Sequence, residues 1–168
     1  MLKSSPYILQ FSGLKLGNHS FEYILEASFF DSCENFGVQK GVGIAKAELE
    51  KKETMMLLSL TLNATLEVLC DRCNENMSLD VNGHMELIYK FGTEESLDES
   101  LVILPLDSYQ IDMFQPVYEL LVVSLPTRFI HPNDGCDSEV LRFLNTPTPS
   151  QEKKIEIDPR WSALNKLN

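Results

Sequence analysis

Apolar and polar side chains alternate through most of the stretch from Gly41 to Phe91, and this period of two is the clearest signal in the chain. The segment GVGIAKAELEKK sets Val42, Ile44, Ala45 and Leu49 among lysines and glutamates, as a half-exposed strand does. Lys51-Lys52-Glu53 reads as the tip of a hairpin. TMMLLSLTLNATLEVL continues as a long strand in which Leu58, Leu60, Leu62, Ala64 and Leu66 share one face. MSLDVNGHMELIYKFG alternates again, with Leu79, Val81, Met85 and Leu87 toward one side. Three strands in succession, joined by short turns, predict an antiparallel meander.

The flanks are less regular. In residues 6–31, Ile8, Gln10, Leu14 and Leu16 keep one parity and Phe21, Tyr23 and Leu25 the other, with Gly17-Asn18 suited to a turn between them. This reads as two strands, or as a strand and a short helix around Ala27 to Phe30. IDMFQPVYELLVVSLP has helical spacing: Phe114, Val117, Tyr118, Leu121 and Val122 fall on one face, Asp112 can cap the start, and Pro126 marks the end, with a strand over YELLVVSL as the competing reading. FIHPNDGCDSE is a turn-rich loop, and GTEESLDES an acidic, solvated one. At the C-terminus, Asp158 as N-cap and Pro159 at the first helical position predict a short helix whose Trp161, Leu164 and Leu167 dock on the domain. The predicted architecture is α+β: an antiparallel, β-rich sheet or partial barrel over residues 1–145, with one packed amphipathic helix. Residues 146–168 form a polar linker and the short C-terminal helix.

Composition changes this picture little and charge changes it more. The 168 residues are 43% hydrophobic and 23% charged, as in an ordinary globular protein. No secretory h-region opens the chain and no eighteen apolar residues run together, which places the protein in the cytoplasm and away from membranes. There, its four cysteines are thiols or metal ligands rather than a disulfide framework. The formal charge is −11, from 25 acidic and 14 basic residues. Such a surface repels phosphate and suits a basic partner, ribosomal proteins among them; the same acidity also serves solubility alone.

No Gly-rich phosphate loop, G-x-S-x-G or H-E-x-x-H is present, and no catalytic residues are assigned. The candidate chemistry is CDRC, Cys70 to Cys73, with HPNDGC further on. Cys70, Cys73, His131 and Cys136 have the atom types of a three-thiolate, one-imidazole site for Zn2+, although the gap between the two pairs is long. The competing reading is a tight turn that carries two reduced thiols. A redox dithiol is disfavoured because both flanks read as strand, without the helix N-terminus that stabilises an attacking thiolate. Arg72, between the cysteines, projects from the turn toward an acidic group of the protein or a phosphate of a partner. CDRC is expected to be a tight inter-strand turn whose two sulfurs face the HPNDGC loop, since the helix ending at Pro126 can return that loop to the same end of the sheet, with metal an addition to a core that folds without it.

VLCDRCNENMSLDV, IDMFQPVYELLVVSLP, HPNDGC and DPRWSALNKL, in that order, resemble the YceD-like family of bacterial proteins. Cys70, Arg72 and Cys73 match its C-x-R-C turn. Ile111, Asp112, Glu119, Leu125 and Pro126 match its helix segment, and Asp158, Pro159, Arg160 and Leu164 its tail. Many members carry a denser cysteine cluster after the Leu-Pro, where this chain has only His131 and Cys136. The resemblance implies a role in accumulation of large-subunit ribosomal RNA and hence in ribosome assembly. The expected function is non-catalytic, through binding of a basic ribosomal protein or a pre-ribosomal particle, with Arg72, Glu119, Arg160 and Trp161 as candidate binding residues. The alternative is an RNA-processing or thiol-redox enzyme.

Overall fold

A computed structural model describes residues 7–31, 36–93, 100–132 and 135–145. In chain order the elements are β1 (Ile8–Gln10), β2 (Gly17–Leu25), α1 (Ala27–Phe30), β3 (Val38–Lys51), β4 (Met55–Leu69), β5 (Asn76–Phe91), β6 (Leu101–Leu104), β7 (Gln110–Asp112), α2 (Phe114–Ser124) and α3 (Ser138–Asn145). The main sheet has the order β2-β3-β4-β5-β6, and β1 pairs with β7 in a separate two-stranded sheet. The fold is α+β, with an open sheet rather than a barrel.

Strict alternation builds the sheet. Along β4, Met56, Leu58, Leu60, Leu62, Leu66 and Val68 are each at most 1% exposed and Ala64 is buried with them, while the alternate residues face outward. One face of this strand is therefore almost wholly aliphatic. Burying Leu58, Leu60, Leu62 and Leu66 contributes on the order of 10 kcal/mol before ordering entropy is counted. The registers Leu60↔Met85 and Leu62↔Gly83 set this face in line with the inward side chains of β5. Lys51 Nζ donates to the Phe11 and Leu14 carbonyls, both at 2.9 Å, and ties the N-terminal loop to the end of β3.

Helix α2 covers the inner face. Its buried side chains are Pro116, Val117, Leu120 and Leu121, so the axis is rotated from the predicted stripe, and Phe114, Tyr118 and Val122 are only half-buried. The reason is aromatic. Phe114 and Tyr118 stack at 6.2 Å and Phe114 meets Phe29 edge-on at 5.2 Å, which holds their rings at the rim against the N-terminal segment. Gly83 lets the helix approach β5, since a Cβ there would collide with the Ser124 hydroxyl and lie 2.9 Å from Leu120. The helix begins at Phe114, and Asp112 closes β7 instead of serving as the N-cap residue. Its carboxylate still accepts the Phe114 N–H at 2.9 Å, satisfying one otherwise unpaired donor.

Three further differences from the sequence pattern are informative. The first strand does not form a hairpin with the second: it runs beside β7, with Ile8 opposite Asp112, and Met113 N–H donates to the Tyr7 carbonyl. Strand β6 is parallel to β5, with Ile88 opposite Leu101, a pairing that local periodicity does not signal. Helix α3 stands directly after the cysteine of HPNDGC, with the Asp137 carboxylate accepting the Glu139 N–H at 2.8 Å. Most of the acidic loop, Cys33, and the predicted linker and C-terminal helix with Arg160 and Trp161 lie outside the described residues.

Candidate metal centre

The turn between β4 and β5 is built by its own backbone. Cys70 N–H donates to the Glu75 carbonyl at 2.9 Å, extending the hairpin ladder by one pair, and Asn74 N–H returns to the Cys70 carbonyl at 2.8 Å. Closing so short a loop puts Asn74 at φ 60°, in the left-handed region that asparagine tolerates better than most residues. Arg72 N–H then points at the Cys70 sulfur, 3.4 Å away. The result is a knuckle that turns both sulfurs to one side.

The segment after α2 is fastened to this knuckle at two points through a single residue. Asp71 N–H donates to the Phe129 carbonyl at 2.7 Å, and the Asp71 carboxylate accepts the Phe129 N–H at 2.7 Å. This brings in His131 two residues on, and Gly135 N–H, donating to the Pro132 carbonyl, turns the chain back so that Cys136 follows. The ligand atoms of Cys70, Cys73, His131 and Cys136 all lie within 4.8 Å of one another.

Three of the six separations are those of a tetrahedron. With Zn–S near 2.3 Å and Zn–N near 2.0 Å, its edges would be about 3.8 Å between sulfurs and about 3.5 Å between sulfur and nitrogen. Cys70 Sγ and Cys136 Sγ are 3.7 Å apart. His131 Nδ1 lies 3.4 Å from Cys73 Sγ and 3.8 Å from Cys136 Sγ. Cys70 and Cys136 are buried and the other two half-buried, so the cluster is closed on its inner side.

Electrostatics treats the two buried thiols differently. Burial raises Cys70, but N–H groups of Cys73, Arg72 and His131 aimed at its sulfur, together with the Cys73 thiol, outweigh burial and bring it down to about 6. Cys136 is held above its ordinary value by burial and by the neighbouring Cys70 and Cys73 thiols, against a smaller downward pull from the Arg72 side chain. A Cys70 thiolate thus opposes ionisation of Cys136 beside it, and a bound dication would remove that conflict.

Of the other candidate residues, Arg72 is exposed at the knuckle tip, yet its side chain acts on the Cys136 sulfur. Glu119 lies on the outward side of α2, where it accepts from Gln115 Nε2 at 2.6 Å. It adds to the burial that raises the Tyr89 hydroxyl, and has no part in the cysteine cluster. Sequence reasoning missed Asp71 and Asn74. An Asp and an Asn within a six-residue turn are the available signal for local backbone bonding, but nothing in the chain says that Asp71 bonds Phe129.

The model of the family described as the large ribosomal RNA subunit accumulation protein YceD matches residues 58–168, and the chain belongs to that family. No curated protein and no solved structure matches it.

Proposed function

We propose that the protein serves accumulation of the large ribosomal RNA subunit as a non-catalytic assembly factor in the cytoplasm, by binding a basic ribosomal protein or a pre-ribosomal particle. The family description supports the process. The observation that carries the mode of action is the sign of the charge: a chain at −11 meets an unassembled cationic ribosomal protein with attraction and bare RNA with repulsion. No helix among the described residues is long and apolar enough to cross a membrane.

Two of the three histidines, His84 and His131, favour binding over catalysis. His84 stands exposed on the sheet with Glu86 3.7 Å away, and His131 faces sulfur. Neither sits in a cleft beside a carboxylate that would make an acid–base pair. Cys73 runs into β5 rather than a helix, which argues against a redox dithiol.

Within this reading, Cys70, Cys73, His131 and Cys136 hold one structural Zn2+. Four protein ligands close the shell and leave no open position for a reacting water, so the ion would clamp the knuckle to the segment after α2. The Asp71–Phe129 bonds orient the His131 arm in support of that role.

The test measures large-subunit against small-subunit ribosomal RNA in cells with and without the protein, together with capture of purified basic ribosomal proteins after nuclease treatment. A selective fall in large-subunit RNA and nuclease-resistant capture are expected. An unchanged RNA ratio, or capture that disappears with the nucleic acid, would overturn the reading.

A further inference from the structure

The outer face of the main sheet has no covering among the described residues. No outward position from Asn18 to Ile24 on β2, Lys40 to Glu50 on β3, Met55 to Leu69 on β4 or Asn76 to Lys90 on β5 is buried. Register divides this face into two parts. Toward the β3–β4 hairpin, the rows Ser20↔Glu48↔Ser59↔Glu86 and Asn18↔Glu50↔Leu57↔Ile88 lie side by side. They form a groove of about 560 Å³ with Glu48, Glu50 and Glu86 around an apolar floor of Leu57 and Ile88. Toward the other end Ile24 lies opposite Ile44, with Val42 beside it, and Ile24 and Val42 are each 68% exposed. A second groove, of about 870 Å³, crosses these three aliphatic residues.

We propose that this face is the docking surface for the partner, and that what docks is a cationic, amphipathic segment of a protein. Its lysine or arginine heads meet Glu48 and Glu86, its methylene stems lie along Leu57 and Ile88, and its apolar side chains cover Ile24, Val42 and Ile44. The two-part chemistry argues for this occupant. Long basic side chains are the groups that need an apolar floor and an acidic rim together. Glu50 already has Lys52 at 3.2 Å, but Glu48 has no cation within ion-pair distance among the described residues. Exposed aliphatic residues grouped on a polar sheet face mark a contact surface. A second copy of this chain would bring its own net charge of −11 against the first, and a nucleic acid would bring phosphates to the same glutamates.

The inference rests on the reading that the partner is basic, and the experiment separates the two. Binding of a short soluble peptide of alternating lysine and leucine to the full chain is measured at several salt concentrations, beside co-sedimentation with pre-ribosomal particles. Glu48→Lys with Glu86→Lys should weaken peptide binding by at least about tenfold and flatten its salt dependence. Ile24→Ser with Val42→Ser should weaken it with the salt slope unchanged. Glu75→Lys with Glu139→Lys, an equal change of charge elsewhere, should leave most of the binding. Equal losses in the two charge-reversed proteins would overturn the docking face, because net charge alone would then explain the binding. Particle association that survives both outer-face double variants would overturn the face and leave the basic-partner reading intact. A wild-type chain that binds neither peptide nor particle would overturn both. A wild-type dimer that Ile24→Ser with Val42→Ser dissociates would assign the face to self-association and overturn the proposal.

Discussion

The middle and the turn of the β4–β5 hairpin are held by different physics. In the middle, Leu58, Leu60 and Leu62 face a continuous core and each is at most 1% exposed. Many weak, non-directional contacts add there, and their partners need only be apolar and of the right volume. At the turn, four polarisable side chains from segments 58 or more residues apart converge, as Cys73 and His131 do at 3.4 Å. Those contacts are few and directional, and only a bound cation would satisfy all of them together. The middle therefore sets whether the chain folds, whereas the turn sets where one loop is held.

The largest expected effect probes the middle. Leu62→Ala leaves a cavity at a fully buried position and should cost about 2–5 kcal/mol, read as a lower urea midpoint for the whole domain. Metal bound per folded molecule should not change. A cost below about 1 kcal/mol would mean that the leucine face is not what holds the hairpin.

A smaller loss is expected at the turn. Chelation, or Cys136→Ser, should remove the ion's linkage contribution, about 2.7 kcal/mol at free metal a hundred times Kd, without unfolding the sheet. Hydrogen exchange should then rise at Phe129 and His131 while the β4 amides stay protected. Loss of the strand circular dichroism on chelation would show that the leucine face is insufficient alone. Zinc absent from protein purified without added metal, and not taken up on titration, would remove the ion from the comparison altogether.

The smallest effect sharpens the account of the core. Tyr23 is the only described residue with a fully buried side-chain polar atom that lacks a hydrogen-bond partner. Burial pushes its phenol up to about 12 from an ordinary 10.0. The neutral form is favoured in the folded state, so stability is complete below pH 10.0 and falls as pH rises through about 12. Tyr23→Phe removes an unsatisfied hydroxyl. It should be neutral or stabilising by up to about 1 kcal/mol near pH 7 and should shallow the alkaline decline. Urea midpoints at neutral pH and between the two pKa values measure both; a steeper decline in the variant would contradict the burial argument.

How far the chain could be read without its structure depended on the range of the interaction. The inward row of β4 is visible as every second residue because neighbours along one strand impose the period. The exchange of Phe114 and Tyr118 for Pro116 and Leu120 on the buried side of α2 was not visible, because Phe29 and Tyr7 decide it from far away in the chain. Helix α3 gives little sign of itself in the sequence although Asp137 is a capping residue, since its amphipathic run is short and follows a loop rich in turn formers.

The sequence by itself determined the meander, its buried row, the acidic surface and the atom types of a three-thiol, one-imidazole cluster, all properties of composition or of nearest-neighbour spacing. That CDRC faces HPNDGC is an expectation of the sequence, and only the tertiary structure decided how the distance is closed, with α2 lying across Gly83 and Asp71 fastening Phe129. It also decided which face of the sheet stays open. Alternation makes two faces, and the one covered is the one on which a helix finds apolar side chains and a glycine over which it can close.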